Sequence, residues 1–155
     1  MQNNNKKQVP RGIRNNNPMN VLRFENSSWV GMSKDQPDSR FLKFDKPFYG
    51  YRAGIIIIAR TYYQRGWRSI AAILEHYAPS VENNTKAYIK AVVSHVQGAG
   101  FHEIGKLTEL PAPSEASRDL WVEIVIAIHN VECEHWPHDR QLIEDAFNYV
   151  FHLRK

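Results

Sequence analysis

The sequence is poor in the features that define most disulfide-stapled or membrane proteins. It has one cysteine, Cys133, in 155 residues, which excludes an internal disulfide and a four-cysteine zinc site. Its most apolar run, residues 53–59, falls far short of the ~20 residues needed to cross a bilayer. Residues Met1 to Arg14 are polar and basic and contain no apolar h-region, so no secretory signal is read there. Glycine-rich phosphate loops and a serine elbow are missing. No nucleic-acid recognition motif accompanies the scattered lysines and arginines. Neither a nucleic-acid nor a membrane partner is therefore expected, and no cofactor.

What remains is ordinary globular composition: 43% hydrophobic, 12% aromatic and 23% charged residues, which excludes disorder. The length corresponds to about one domain. A formal charge of +4 suits an anionic partner such as a nucleic acid or a bacterial wall without choosing between them. Residues 1–9, rich in Asn, Gln and Lys, read as a flexible tail, and residues 10–155 as a single domain.

Residues 10–47 carry turn formers every few positions, with short apolar patches between them, and predict irregular structure with two or three short strands. After Gly50 the pattern becomes helical. Residues 51–64 are apolar almost all round and read as a buried central helix despite four consecutive isoleucines. Ser69 can cap a helix through Tyr77, and Asn83 or Asn84 another that places Tyr88, Val92 and Val96 on one stripe. Ser117 opens a strong helix over residues 120–132, and Pro137 separates it from a last amphipathic helix over 138–153. The architecture expected is mainly α, with an irregular or slightly β N-terminal third.

Three clusters could carry chemistry. The segment Arg11 to Asn20 combines Gly12 with Asn15, Asn16, Asn17 and Asn20, whose amides donate and accept together. Such groups suit either sugar hydroxyl and N-acetyl recognition or the pinning of a loop. Residues 77–89 place Glu82 beside Asn83, Asn84 and Tyr88, in an inter-helix turn or in a cleft. Glu132 ends an otherwise apolar helix. The negative helix end and apolar neighbours both raise a carboxyl's pKa, which a general acid at neutral pH requires. The alternative is that Glu132 points into solvent. His129, Cys133, His135 and His138 lie close in sequence, but their spacing fits no standard zinc pattern, so no metal is expected. Cys133 lacks any orienting motif for a nucleophile and reads as a buried thiol.

Several motifs occur in a fixed order: Arg11-Gly-Ile-Arg-Asn-Asn-Asn-Pro-Met-Asn-Val, Trp29-Val-Gly31, Gln36-Pro-Asp-Ser-Arg-Phe41, Tyr49-Gly-Tyr-Arg-Ala53, and Ala78-Pro-Ser-Val-Glu-Asn-Asn-Thr-Lys-Ala-Tyr-Ile89. This order resembles a family of phage and prophage virion-associated proteins, often described as structural proteins, that look like lysozyme-type peptidoglycan hydrolases. The resemblance covers residues 10 to about 96 and extends to a last helix that typically carries Glu followed by Asn-Gly. Here Cys133-Glu134 replaces Asn-Gly, Met19 stands where the family usually has Gly, and Tyr77 where it usually has Trp.

The resemblance implies a lysozyme-like domain that cleaves the glycan strand of peptidoglycan, as a muramidase, glucosaminidase or lytic transglycosylase. In such domains an acidic residue ends a helix and an Asn-rich loop follows it; in this chain the loop comes first. A circularly permuted arrangement is therefore expected, folding Glu132 back toward residues 15–20. Glu132 is the expected acid, with Glu82 or Asp38 as the second carboxylate. Asn16, Asn17, Asn20 and Asn83 would bind the N-acetyl groups. Trp29, Tyr51 and Tyr88 offer apolar faces to sugar rings or, equally, to the core. The implied partners are peptidoglycan and other virion or secretion-device proteins, with synthesis in the cytoplasm and action at the wall after delivery. The rival is a non-catalytic virion or wall-binding module that keeps the fold and has lost its acid.

Overall fold

The computed structural model describes residues 8–80 and 83–154, so most of the expected N-terminal tail lies outside the described residues, as does Glu82. The architecture is mainly α. A short helix α1 (Arg11–Arg14) leads into an irregular arm, followed by α2 (Pro47–Ile55), a π-helical turn (Ile56–Thr61), α3 (Tyr62–Gln64), α4 (Ile70–Tyr77), α5 (Thr85–Gly98), α6 (Arg118–Glu132) and α7 (Arg140–Phe151).

In place of the expected short strands, the arm contains two isolated antiparallel bridges, Leu22 with Phe41 and Met32 with Phe44. Side-chain amides have taken over the work of a strand ladder. Gln36 Nε2 donates to the carbonyl of Lys43 at 2.8 Å while Gln36 Oε1 accepts from the Lys43 N–H at 2.9 Å. Asn17 likewise donates to the carbonyls of Val21 and Leu42 and accepts from the Val21 N–H. Buried backbone groups must find partners, and here side chains supply them. Beneath the arm, Val21, Leu42, Phe44 and Ala53 form a small apolar cluster.

The central helix begins at Pro47, earlier than the apolar pattern indicates, because proline fixes φ for a first helical position and needs no N–H partner there. It runs without a break through the isoleucines to Gln64, with one π turn over residues 56–61, a rare element that often marks functional regions. α4, α5 and α7 are each capped as side-chain chemistry dictates. Ser69 accepts from the Ala72 N–H, Asn84 from the Ala87 N–H and Asp139 from the Leu142 N–H. α6 is the core helix: residues 120–129 are all buried, including Trp121, whose indole N–H donates to the carbonyl of Pro111 at 3.1 Å. α5 and α7 pack on α6, α4 packs on α5, and α2 packs on α7. Among the described residues no helix is long and apolar enough to cross a membrane.

Two glycines let the Asn-rich segment sit against the helices. A Cβ on Gly50 would stand 2.3 Å from the carbonyl oxygen of Asn16, and one on Gly12 would stand 2.9 Å from Cys133 Sγ. The first contact docks the segment on α2, and the second docks α1 on the C-terminal end of α6.

Candidate functional site

The carboxyl group that ends α6 is the centre of the site. Glu132 Oε1 accepts from Asn20 Nδ2 at 2.9 Å, and Oε2 accepts from the hydroxyl of Tyr88 at 2.7 Å. Asn20 and Glu132 lie 112 positions apart in sequence. Next to them the thiol of Cys133 donates to the carbonyl of Pro18 at 3.2 Å. The fold thus carries the end of α6 back onto residues 18–20.

Burial pushes the Glu132 carboxyl above its usual range. The hydrogen bonds from Asn20 and Tyr88 and the charge of Arg40 work in the opposite direction and do not cancel it. Both effects belong to one design. A carboxyl with apolar neighbours holds its proton more strongly, and fixed donors keep its orientation defined when it ionises. Burial drives the Tyr88 phenol well above its ordinary value, with the Glu132 charge adding to it, so Tyr88 remains a donor at neutral pH. Tyr77 is raised in the same way and donates its hydroxyl to the carbonyl of Met19, which holds the backbone beside Asn20. Asn20 Oδ1 is buried and, among the described residues, has no hydrogen-bond partner.

Glu132 opens onto a cleft of about 350 Å³ lined also by Asn83, Asn84, Tyr88 and Val131. Ala87 and Ala91, on the face of α5 toward the cleft, keep it open because they are small. Asn83 and Asn84 are exposed at its edge. Of the described residues that line this cleft, Glu132 is the only one with a carboxylate.

The remaining expected residues fall elsewhere. Glu82 lies outside the described residues. Asp38 is a loop lock and is not among the described residues that line the Glu132 cleft. Burial alone would raise its pKa, but the N–H groups of Phe41 and Arg40, the amide of Asn15 and the nearby Arg11 hold it below the usual range. Its oxygens are fully engaged in shaping the arm. Asn17 is 0% exposed and committed to Val21 and Leu42, so it pins the loop and has no face for a ligand. Asn16 donates to the carbonyl of Phe44 and borders a different groove, together with Tyr51 and His129. Tyr51, 2% exposed, is a core residue whose hydroxyl meets His129 Nδ1 at 2.7 Å. Of the three aromatic candidates only Tyr88 touches Glu132; Trp29 is half-buried in a neighbouring depression.

His129 is occupied at both ring nitrogens, by Tyr51 and by the carbonyl of Trp136, and burial lowers its pKa. Burial drives Cys133 up to about 12, far from a reactive thiolate. Among the described residues no group of three or more His, Cys, Asp or Glu side chains is placed to hold a metal ion.

Two contributors escape the sequence reading. Arg40 stands close enough for its charge to act on Glu132, and Tyr77 positions the backbone of Met19. Arg40 gives no signal of this kind in the sequence, since it sits in a turn-rich arm remote from residue 132. Tyr77 is visible only as a departure from the family pattern.

No protein-family model matches the chain. Over 147 residues it is 26% identical to protein P5 of Pseudoalteromonas phage PM2, an alignment that covers 94% of this chain and 84% of that protein. Over nearly its whole length, then, the chain is similar to a phage-encoded protein.

Proposed function

We propose that the protein cleaves the glycan strand of peptidoglycan, with Glu132 as the acid and base. The observation that carries this reading is the Glu132 carboxyl itself. It ends a buried helix, is raised by burial, is gripped at one oxygen by Asn20 and at the other by Tyr88, and opens onto a cleft edged by the amides of Asn83 and Asn84. Cleavage of a glycosidic bond needs a proton on the leaving oxygen and relief of charge at the anomeric carbon. The protonated Glu132 gives its proton to the glycosidic oxygen as the C–O bond breaks. The sugar's own hydroxyl then closes onto the anomeric carbon and returns its proton to Glu132. This lytic route needs one carboxylate, which accords with Glu132 as the single one among the described residues of the cleft wall. A similarity to a phage protein accords with a wall substrate, because a phage meets the wall on entry and exit. The charge of +4 accords with an anionic polymer as well.

Purified protein incubated with peptidoglycan is expected to release soluble muropeptides, with anhydro ends if the route is lytic. Glu132→Gln should reduce release by at least ~100-fold, the usual contribution of a positioned acid. Release that survives Glu132→Gln would overturn the assignment. An equal loss in Glu82→Gln would give that residue the second role and replace the lytic route with a two-carboxylate one. No release by the wild type would leave a non-catalytic virion or wall-binding module.

A further inference from the structure

An open groove of about 340 Å³ lies on α5, away from the Glu132 cleft. The cleft uses Asn84, Ala87, Tyr88 and Ala91, whereas the groove uses Lys86, Ile89, Lys90 and Val93. At 3.6 residues per turn these two sets face roughly opposite sides of the helix. Ile89 and Val93, one turn apart, form an aliphatic floor that is half-buried and packed on the core. The rim is cationic. Lys86 and Lys90 rise from α5, and Lys106 faces them from the loop that follows.

The loop that carries Lys106 is fixed. Gln97 Nε2 donates to the carbonyl of Ile104 at 3.0 Å, the Ala71 N–H donates to the carbonyl of Lys106 at 2.9 Å, and the Gly105 N–H donates to Thr108 Oγ1 at 2.8 Å. The groove is therefore preformed on both sides.

Its charges are arranged at a cost to the chain. α5 contains no acidic residue, and Lys86 stands in its first turn, where the helix dipole disfavours a cation. Lys90 follows four positions later, a like-charge spacing that is unfavourable on a helix. Among the described residues none of the three ammonium groups has an ion-pair partner, and no carboxylate lines the groove. Anionic groups from outside would relieve this repulsion.

The aliphatic floor selects among anionic partners. A free inorganic anion would leave Ile89 and Val93 uncovered. A flat bilayer does not reach a floor recessed between a helix and a loop, and a nucleic-acid backbone has no aliphatic group to place there. A peptide segment with an aliphatic side chain between carboxylates meets both demands, and the lysine stems extend the apolar wall around it. We propose that this groove docks an acidic segment of another protein, with an aliphatic side chain on Ile89 and Val93 and flanking carboxylates paired with Lys86, Lys90 and Lys106. Nothing in this docking requires Glu132, so it stands or falls apart from the cleavage reading.

The test titrates the full chain with a short fluorescein-labelled peptide of glutamates and alanines that carries two leucines one helical turn apart. Binding is followed by fluorescence anisotropy and by NMR of the Ile and Val methyl signals. The Ile89 and Val93 methyls are expected to shift. A peptide with alanine in place of both leucines should bind about 10-fold more weakly, as loss of a buried aliphatic contact requires. Lys90→Glu with Lys106→Glu should also weaken binding about 10-fold. The same charge change in Lys34→Glu with Lys46→Glu, at exposed positions outside the groove, should alter it less than about 2-fold. Equal weakening by the two pairs reduces the binding to net charge and overturns the proposal. Unmoved Ile89 and Val93 methyls, or equal affinity for the leucine-free peptide, overturn it too. Absence of peptide binding also overturns it. Phosphatidylglycerol vesicles and duplex DNA form the remaining arms. If either binds more tightly than the peptide and loses its binding in the Lys90–Lys106 pair, the groove belongs to that partner and the proposal fails.

Discussion

Replacing glycine with alanine inside a helix ordinarily stabilises a protein by about 0.5–1 kcal/mol, through lower unfolded-state entropy and better helix propensity. Among the helical glycines, Gly50 and Gly98 should respond with opposite signs. At Gly98, the last residue of α5, an added Cβ meets nothing within 4 Å, so Gly98→Ala should gain a few tenths to ~1 kcal/mol. At Gly50 the Cβ would fall 2.3 Å from Asn16 O, 3.0 Å from Asn17 Cα and 3.1 Å from Pro18 Cδ. Two of those atoms are backbone, and the third belongs to a proline ring. The loop cannot yield easily, because Asn16 is tied to Phe44 and Asn17 to Val21 and Leu42. Ordinary contact requires a displacement of about 1 Å, and overpacking of this kind costs ~1–3 kcal/mol. After the propensity gain, the net loss is about 1–2 kcal/mol. For a domain of this size that lowers Tm by roughly 2–8 °C, whereas Gly98→Ala raises it by roughly 1–4 °C. Calorimetric melting of both variants checks the pair. A displaced loop also carries Asn20 away from Glu132, so muropeptide release should fall further in Gly50→Ala than its stability loss explains. If Gly50→Ala melts at or above the wild type, the close-approach argument is wrong.

Glu134 and His135 follow α6 in the left-handed region, with φ of 50° and 59°. His135→Gly should raise stability by about 0.5–1 kcal/mol, since a left-handed non-glycine residue costs ~1–2 kcal/mol and glycine returns part of that as unfolded-state entropy; urea unfolding measures it, and a loss would refute it. Glu132→Gln should make stability less dependent on pH. A carboxyl whose folded pKa lies above its unfolded value of 4.5 contributes stability below that value and loses it as pH rises through the folded one. The variant should therefore match the wild type in acid and exceed it at pH 7, and melting curves across that window that show no divergence would remove burial as the dominant influence. Arg140 Nη1 sits 2.8 Å from Glu123 Oε1, while His95 stands 3.4 Å from the other oxygen of this buried carboxylate. Arg140→Ala should cost about 1–3 kcal/mol by leaving Glu123 under-paired, and a further Glu123→Gln should recover part of the loss. Unchanged stability in Arg140→Ala would show that His95 and water suffice.

Local chemistry was enough to predict the longer helices after Gly50, but not the short α1 or the π turn. Ser69, Asn84 and Asp139 start helices because their oxygens accept orphan N–H groups two or three residues on, and apolar stripes choose the buried faces. Glu132 is legible for the same reason, as the carboxyl side chain that ends an apolar helix. The arm was harder. Its turn formers are plain in the sequence, but whether Gln36 and Asn17 would replace strand partners depends on which backbone groups packing leaves unpaired.

Four asparagines between residues 15 and 20 are equivalent in composition, and the sequence offers no means of ranking them. Tertiary structure separates them. Asn15 and Asn17 are buried in holding the arm, Asn16 faces another groove, and Asn20 reaches Glu132. The same holds for Asp38, whose carboxylate is absorbed by its own loop, and for Tyr51, which fills the core. Sequence by itself determined the helical elements and the residue types able to bind or protonate a sugar. Only the folded chain decided which of them meet, because the end of α6 and residues 18–20 are joined by packing across more than a hundred residues, not by any local pattern.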